Sequence, residues 1–281
     1  MEFEFEKEIE MIKNLDRIDV NGVELEYEVA GTGTPVIFIH GSLGADAYLP
    51  LMGEPVLRAS HQLIRYHRRG YAGSTPANGP ISIAEQAADC VGLLQALGVG
   101  PAHVAGQSYG GVIAMQLAAD QPRAVRSLAL MEPAAMLLVP SAQAFLDALA
   151  PVIGAYQRGD KAGAVRGFLE SIAGPQTEAI VEGRVPGAWA QAEADGDTFF
   201  QVELPAVQKW NLTSEQAARI TVPVLFVQGE RTWPIFGEVH DLVHRLLPQT
   251  RDAYIPGVTH LLQMENPETV ARALAKFFSE S

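Results

Sequence analysis

The chain has 281 residues, 48% of them hydrophobic, and carries a formal net charge of −13 at pH 7. This acidic balance argues against nucleic acid and anionic membranes as partners, because both are themselves negatively charged. The single cysteine, Cys90, permits no internal disulfide. Residues 1–14 are rich in Glu and lack the basic start and apolar core of a signal peptide, so we expect a cytoplasmic protein in which this segment is an extra edge strand or a tail.

Eight segments are rich enough in apolar and β-branched residues to predict strands, and four longer amphipathic patterns predict helices. A tight turn at Asn21-Gly22 joins the first two strands, whereas strands and helices alternate later, so we expect a mostly parallel sheet with an antiparallel start and helices on both faces. The predicted strands are Arg17–Val20, Leu25–Val29, Pro35–Ile39, His61–Tyr66, Ala102–Ala105, Val125–Met131, Val222–Gln228 and Thr250–Ile255, and the predicted helices are Ser82–Leu97, Tyr109–Gln121, Phe236–Leu247 and Thr269–Phe278.

The third predicted strand runs directly into a glycine-rich loop. This loop has the sequence His40-Gly41-Ser42-Leu43-Gly44. A loop at the end of a central strand can direct backbone N–H groups at a developing oxyanion. An ordinary strand-end turn, with His40 filling space, is the alternative.

The fifth predicted strand is followed by Gly106-Gln107-Ser108-Tyr109-Gly110 and then by a helix pattern. A strand, a G-x-S-x-G turn and a helix together are typical of a nucleophile elbow. The glycines fit this interpretation, because a strand that turns sharply into a helix leaves little space for a Cβ atom beside the serine. The elbow predicts that Ser108 is a nucleophile and that the N–H of Tyr109 faces the oxyanion.

His260 lies just after the last predicted strand, in a loop that precedes the C-terminal helix. The other six histidines lie within strand or helix patterns or beside other motifs. His260 is therefore the candidate general base.

The stretch from 134 to 217 interrupts the alternation of strands with pieces of helix separated by Gly and Pro. We expect a helical cap here, inserted after the sixth strand, with the core formed by residues 1–133 and 218–281. Most apolar residues of the cap are expected to hold its helices together. Collectively they indicate a small, largely apolar substrate, and with the neighbouring loops they give the candidate pocket residues His40, Leu43, Met136, Trp189, Phe199, Trp233 and Leu261.

These motifs resemble those of the α/β-hydrolase superfamily, in the cap-bearing form shared by esterases, dehalogenases and epoxide hydrolases. The resemblance covers the chain from about Leu15 to Phe278. Besides the motifs above, it is carried by Arg69-Gly70 through Ser74 and by Glu132-Pro133. It implies the fold, the chain order serine, acid, histidine, and an oxyanion hole made by the N–H groups of Ser42 and Tyr109. The family usually has Asp where this chain has His67.

The acid is where the chain departs most from the family pattern. The family most often places Asp after the seventh strand, and that position falls on Thr232. A second branch takes its acid from the end of the sixth strand, where this chain has Glu132. Glu132 is therefore the preferred candidate, because burying a carboxylate at a strand end requires a partner such as an imidazole N–H. Glu230 remains the alternative.

The resemblance implies an esterase-like enzyme that uses Ser108, His260 and Glu132 on a small ester or lactone. Lyase, acyltransfer or peracid chemistry with the same residues stays open, as does a non-catalytic small-molecule receptor. No cofactor or metal is expected, because the chain has no P-loop and no His/Cys pattern with metal-ligand spacing, and Gly31-Thr32-Gly33 lacks a dinucleotide-binding context. A homodimer is a further possibility.

Overall fold

The computed structural model describes residues 15–281, so the expectations for residues 1–14 lie outside the described part. Within it, eight strands form one sheet in the order β1-β2-β4-β3-β5-β6-β7-β8. β1 and β2 are antiparallel to their neighbours, and the other strands are parallel, which confirms the predicted sheet. The strands are β1 (Asp16–Val20), β2 (Val23–Ala30), β3 (Thr34–Ile39), β4 (His61–Tyr66), β5 (Ala102–Gln107), β6 (Val125–Met131), β7 (Val224–Gly229) and β8 (Thr250–Ile255).

The turn between β1 and β2 follows from its two residues. Asn21 and Gly22 have φ values of 51° and 80°. Positive φ at both central positions matches the right-handed twist of a hairpin, and Asn-Gly adopts it at low cost. The turn sets the register, in which Val20 pairs with Val23.

Helices connect the parallel strands and cover the sheet. The two longest single helices among residues 15–281 are Ile83–Ala96, between β4 and β5, and Ala142–Gln157, between β6 and β7. In chain order the helices are α1 (Leu49–Met52), α2 (Pro55–Arg58), α3 (Ile83–Ala96), α4 (Tyr109–Asp120), α5 (Ala142–Gln157), α6 (Lys161–Ala173), α7 (Thr177–Arg184), α8 (Ala188–Ala194), α9 (Gly196–Thr198), a π-helical turn (Phe199–Glu203), α10 (Leu204–Lys209), α11 (Ser214–Ala217), α12 (Ile235–Leu246), α13 (Leu262–Glu265) and α14 (Pro267–Ser279), with 3₁₀ turns at Pro122–Ala124 and Met136–Leu138.

The core lies on both faces of the sheet, because the central strands are apolar at successive positions. In β3, Ile37 and Ile39 belong to one buried apolar cluster that also contains residues of α3, α4 and α12, whereas Val36 and Phe38 belong to a second cluster that contains residues of α14. All four side chains are fully buried. Strands covered by helices on both faces have this uninterrupted apolar pattern.

Between β6 and β7 the described chain is helical and contains no strand. The predicted division into a core and a cap, at residues 133/134 and 217/218, stays a prediction. Of the helices in residues 15–281, none is long and apolar enough to cross a membrane.

Candidate active site

Ser108 lies at the sharp turn between β5 and α4 and has φ 51° and ψ −118°. This conformation is strained for a residue with a side chain, and such strain persists only where the surroundings fix it. Here the Ser108 N–H donates to the carbonyl oxygen of Met131 (3.0 Å), and its own carbonyl accepts from the N–H groups of Gly111 and Ala134 (2.9 Å each). The backbone thus holds a half-buried hydroxyl at the carboxyl edge of the sheet.

The two glycines of the motif are required by close packing. A Cβ at Gly106 would lie 2.3 Å from the carbonyl oxygen of Gly110, and a Cβ at Gly110 would lie 2.0 Å from that of Ile39. Neither contact could be relieved without moving the backbone. The turn at Ser108 therefore forms only with glycine at both positions.

His260 and Glu132 are in direct contact. Nδ1 of His260 lies 2.6 Å from Oε2 of Glu132, and both side chains are almost completely buried. The ring of Phe236 stacks on the imidazole, with centroids 4.6 Å apart. A carboxylate that accepts from Nδ1–H leaves Nε2 as the basic nitrogen of the ring.

Both oxygens of Glu132 are engaged. Oε1 accepts from the N–H of Gly229 (2.8 Å), and Oε2 accepts from the Thr232 hydroxyl (2.8 Å) as well as from His260. Thr232 occupies the position where the family most often has its acid, so in this chain that position supports the carboxylate. The alternative acid, Glu230, is exposed and accepts instead from the N–H of Gly257 (2.7 Å).

Nε2 of His260 is in contact with the side-chain amide of Gln107. Nε2 of His260 accepts from the Nε2–H of Gln107 (3.1 Å). In the described residues it accepts no hydrogen bond from the Ser108 hydroxyl. The same amide also donates to the carbonyl oxygen of His260 (3.2 Å). Gln107 was not singled out from the sequence, because it stands at the variable position of the elbow motif.

The loop after β3 is fixed by a buried arginine. Arg68 donates to the carbonyl oxygens of His40 and Gly41, both at 3.1 Å, and to Oε1 of Gln86 at 2.6 Å. Its Nη2 also lies 2.5 Å from Oε1 of Glu203 in the π-helical turn, an ion pair without hydrogen-bond alignment. Burial would lower the pKa of Arg68, but the charge of Glu203 outweighs this and raises it. The loop that carries Ser42 is thereby held next to Ser108.

Ser108 and His260 line the same cavity, together with Ser42. Its other walls are largely apolar, and the helices α6, α7 and α8 supply the side opposite the sheet. The full lining consists of Ser42, Leu43, Gly44, Ala45, Asp46, Ala47, Gln107, Ser108, Phe168, Leu169, Ile172, Val181, Ala188, Gln191, Ala192, His260, Leu261, Gln263 and Met264.

Of the seven predicted pocket residues, Leu43 and Leu261 line this cavity. The other five, His40, Met136, Trp189, Phe199 and Trp233, do not. The cavity residues that the sequence reasoning missed, such as Phe168, Leu169 and Ile172, share the apolar character of these five. Composition alone could not separate the residues that line the cavity from those that do not, because lining depends on which face of each helix is turned toward Ser108.

Each of the five packs elsewhere for an identifiable reason. The side chain of His40 accepts from the Arg68 N–H and contacts the Gly41 carbonyl, and Met136 is buried in the core. The remaining three are aromatic residues in other contacts: Phe199 lies against Phe168, the Trp189 indole donates to Glu193, and the Trp233 ring packs on Phe145.

The pKa values of His40 and Asp46, two residues of the loop after β3, are shifted by different balances of burial and neighbouring charge. Burial, together with the Arg68 charge, lowers the pKa of His40 well below its usual value, so His40 is neutral. Burial alone would raise the pKa of Asp46, but His67 and Arg65 outweigh it and lower the pKa to about 2. His67, which stands where the family usually has Asp, thus helps to keep a carboxylate ionised at the cavity wall.

Comparison with known proteins identifies the family. The model of the alpha/beta hydrolase fold matches residues 34–267, and the chain therefore belongs to this family. The chain is 30% identical to a Mycobacterium tuberculosis protein named as a non-heme bromoperoxidase, BpoC, with 92% of the chain and 98% of that protein aligned.

Two further similarities are more limited in scope. The chain is 42% identical to an Azorhizobium caulinodans protein named as a carbamate hydrolase, RutD, over 38% of the chain, and it spans only 40% of that relative's length. The structure of an enol-lactonase from Burkholderia xenovorans superimposes with a TM-score of 0.75 over 94% of this chain and 100% of that one, at 21% identity, and this similarity shows the fold alone.

Proposed function

We propose that the protein is a serine hydrolase that cleaves a small, largely apolar carboxylic ester or lactone through an acyl-enzyme intermediate. The observation that carries the proposal is one cavity lined by Ser108 and by His260, with Nδ1 of that histidine 2.6 Å from the buried Glu132 carboxylate. A nucleophile, a base and an orienting acid in this arrangement are the components of a catalytic triad.

In the proposed first step, Oγ of Ser108 bonds to the substrate carbonyl carbon, and its proton passes to Nε2 of His260. The carbonyl π electrons move to the oxygen, and the N–H groups of Ser42 and Tyr109 stabilise this oxyanion. The oxyanion then reforms the carbonyl, the alkoxide leaves with the proton from His260, and the acyl group stays on Ser108. Glu132 stabilises the imidazolium charge throughout.

The second step reverses these roles with water. His260 takes a proton from a water molecule, whose oxygen adds to the acyl carbon, and the Ser108 oxygen leaves with that proton. The Gln107 amide must release Nε2 of His260 before either step, since it occupies the position that a nucleophile needs. Its contact with the carbonyl oxygen of His260 provides a second acceptor that keeps it nearby.

The apolar cavity walls support a substrate with short hydrocarbon groups on both sides of its carbonyl. Because one relative is named as a carbamate hydrolase and one structural neighbour as an enol-lactonase, carbamates and lactones are tested as substrates beside esters. A panel of p-nitrophenyl esters, γ- and δ-lactones and N-alkyl carbamates, assayed with wild type and with Ser108→Ala, tests the proposal. We expect turnover of at least one ester or lactone by wild type only. Turnover of none of them, or equal turnover by both proteins, would overturn it and favour a receptor or another chemistry.

A further inference from the structure

A cluster of metal-ligating side chains lies outside the candidate active site. His240 and His244 are on α12, and Asp252 is on β8. Nε2 of His240 lies 3.1 Å and Nε2 of His244 lies 2.9 Å from the same atom, Oδ1 of Asp252. The three donor atoms all lie within 4.8 Å of one another.

The fold accounts for this convergence. Residues four apart on a helix lie on the same face, so the two imidazoles lie side by side one turn apart, with ring centroids 4.3 Å from each other and ring planes inclined at 43°. β8 pairs with β7, which places Asp252 opposite Phe226. The ring of Phe226 in turn packs edge-on against His240 at 5.2 Å, and this contact fixes the orientation of that imidazole.

We propose that these three residues bind a divalent transition-metal ion of the Zn²⁺ class. Two imidazoles and one carboxylate form a donor set typical of zinc, which takes nitrogen at about 2.0–2.1 Å and oxygen at about 2.0–2.2 Å. Tetrahedral ligands at those distances lie roughly 3.3–3.5 Å from one another. The two nitrogen–oxygen distances need only a few tenths of an ångström of opening to reach this spacing, and water can complete the coordination.

The surroundings of the cluster support a cation. Nδ1 of His240 lies 3.2 Å from Oδ1 of Asp241, and a carboxylate on the second ring nitrogen is the usual way to orient a metal-binding imidazole. The three side chains are only partly buried, so the ion can enter without unfolding. The net charge of −13 also favours cations near the surface.

From the sequence no metal is expected, and the proposed site departs from that expectation, because the spacing of His240 and His244 is one that zinc sites use. His240 and His244 are one helical turn apart, but Asp252 is brought to them only by the packing of β8 beside α12. An ion at this point would clamp the helix to the strand. Both elements lead to the candidate active site, since Phe236 of α12 stacks on His260 and β8 is followed by the loop that carries it.

The test uses the full chain freed of metal and titrated with Zn²⁺ by calorimetry and with Co²⁺ by visible absorption. We expect one ion per chain, an intense four-coordinate Co²⁺ spectrum, and a higher unfolding temperature with Zn²⁺. Loss of a group that only hydrogen-bonds to a metal ligand typically weakens metal binding by ~10–100-fold. His244→Ala and Asp252→Asn each remove a proposed ligand and should therefore weaken Zn²⁺ binding by more than this. Thermal unfolding without metal shows whether each variant is folded.

Two control variants separate this site from other sources of binding. Glu280→Gln removes a partly exposed carboxylate that pairs with Arg251 of β8 but lies outside the cluster, and it should leave binding unchanged. His260→Ala should also bind as wild type does, because the candidate active site is not involved. An absence of binding would overturn the proposal. So would binding that survives in folded His244→Ala and Asp252→Asn or is lost in His260→Ala.

Discussion

Oε2 of Glu132, the residue that follows β6, lies 2.6 Å from Nδ1 of His260. The hydroxyl of Thr232, which follows β7, donates to the same Oε2 atom. The candidate acid thus follows β6, and the position after β7 where the family most often has its Asp holds the threonine that donates to it. The side chain of Glu132 is long enough to bring its carboxylate to the imidazole from this strand.

Glu132→Gln should lower the rate at saturating substrate by about 10²–10⁴-fold, because an amide does not hold the imidazole in the correct tautomer or stabilise its charge. Glu230→Gln is the matched control and should stay near wild type. Steady-state kinetics on one ester that wild type cleaves would rank the two variants. The reverse ranking would place the acid after β7.

Breaking the Arg68–Glu203 ion pair should destabilise the protein strongly, because it leaves a buried charge without its partner. Both side chains are almost fully buried, and Arg68 also holds the loop that carries Ser42. Glu203→Gln would leave a buried guanidinium without its counter-charge, which typically costs about 3–5 kcal/mol. Urea unfolding should show this loss, whereas Glu215→Gln, at an exposed pair with Arg219, should change stability by less than about 1 kcal/mol. Equal stability of the two variants would refute a structural role for the pair.

Asp195 should make the protein less stable as the pH rises from about 4 to 6. Burial raises the pKa of Asp195 from 3.8 to about 6, so the folded state binds its proton more tightly than the unfolded state does. Stability is therefore lost as the carboxyl ionises on raising the pH through this window.

Asp195→Asn should remove this dependence and raise the free energy of unfolding at pH 8 by about 1–2 kcal/mol. Asn can still accept from the Ala72 N–H and the Gln191 amide, as Asp195 does now. Asp197→Asn is the control of opposite sign, because hydrogen bonds from Tyr156 and Lys161 lower the pKa of that exposed carboxyl. Thermal unfolding at pH 4, 6 and 8 measures both, and a less stable Asp195→Asn at pH 8 would contradict the assignment.

Ile172 of α6 should limit the length of the substrate. It is buried and lines the cavity with Ser108. Ile172→Ala opens space for hydrocarbon, and kcat/KM for longer acyl esters should rise relative to acetate by about fourfold for each methylene accommodated. Val165→Ala, in the same helix but outside the cavity, should leave the chain-length profile unchanged. An unchanged profile in Ile172→Ala would move the acyl site elsewhere.

The sequence was most informative where local chemistry requires one residue type. Gly106 and Gly110 have no room for a Cβ, and Asn21-Gly22 forms a turn with positive φ, so these positions could be recognised without coordinates. The positions of His260 and Glu132 at strand ends also followed from strand patterns. Pocket residues such as Trp189 could not be assigned, because burial inside a helical layer and burial against a cavity produce the same apolar pattern. Gln107 was missed for a related reason, since nothing local indicates that its amide contacts His260.

The most direct test is to identify the residue that carries the acyl group. Wild type should be mixed with a fluorophosphonate, and separately with a p-nitrophenyl ester and quenched early, before intact-mass measurement and peptide mapping. We expect a single adduct on Ser108 in both experiments and none in folded Ser108→Ala, whose turnover should fall to a few percent of wild type or less. An adduct on another residue, or Ser108→Ala that keeps the wild-type rate, would contradict the proposal of a serine hydrolase acting through Ser108.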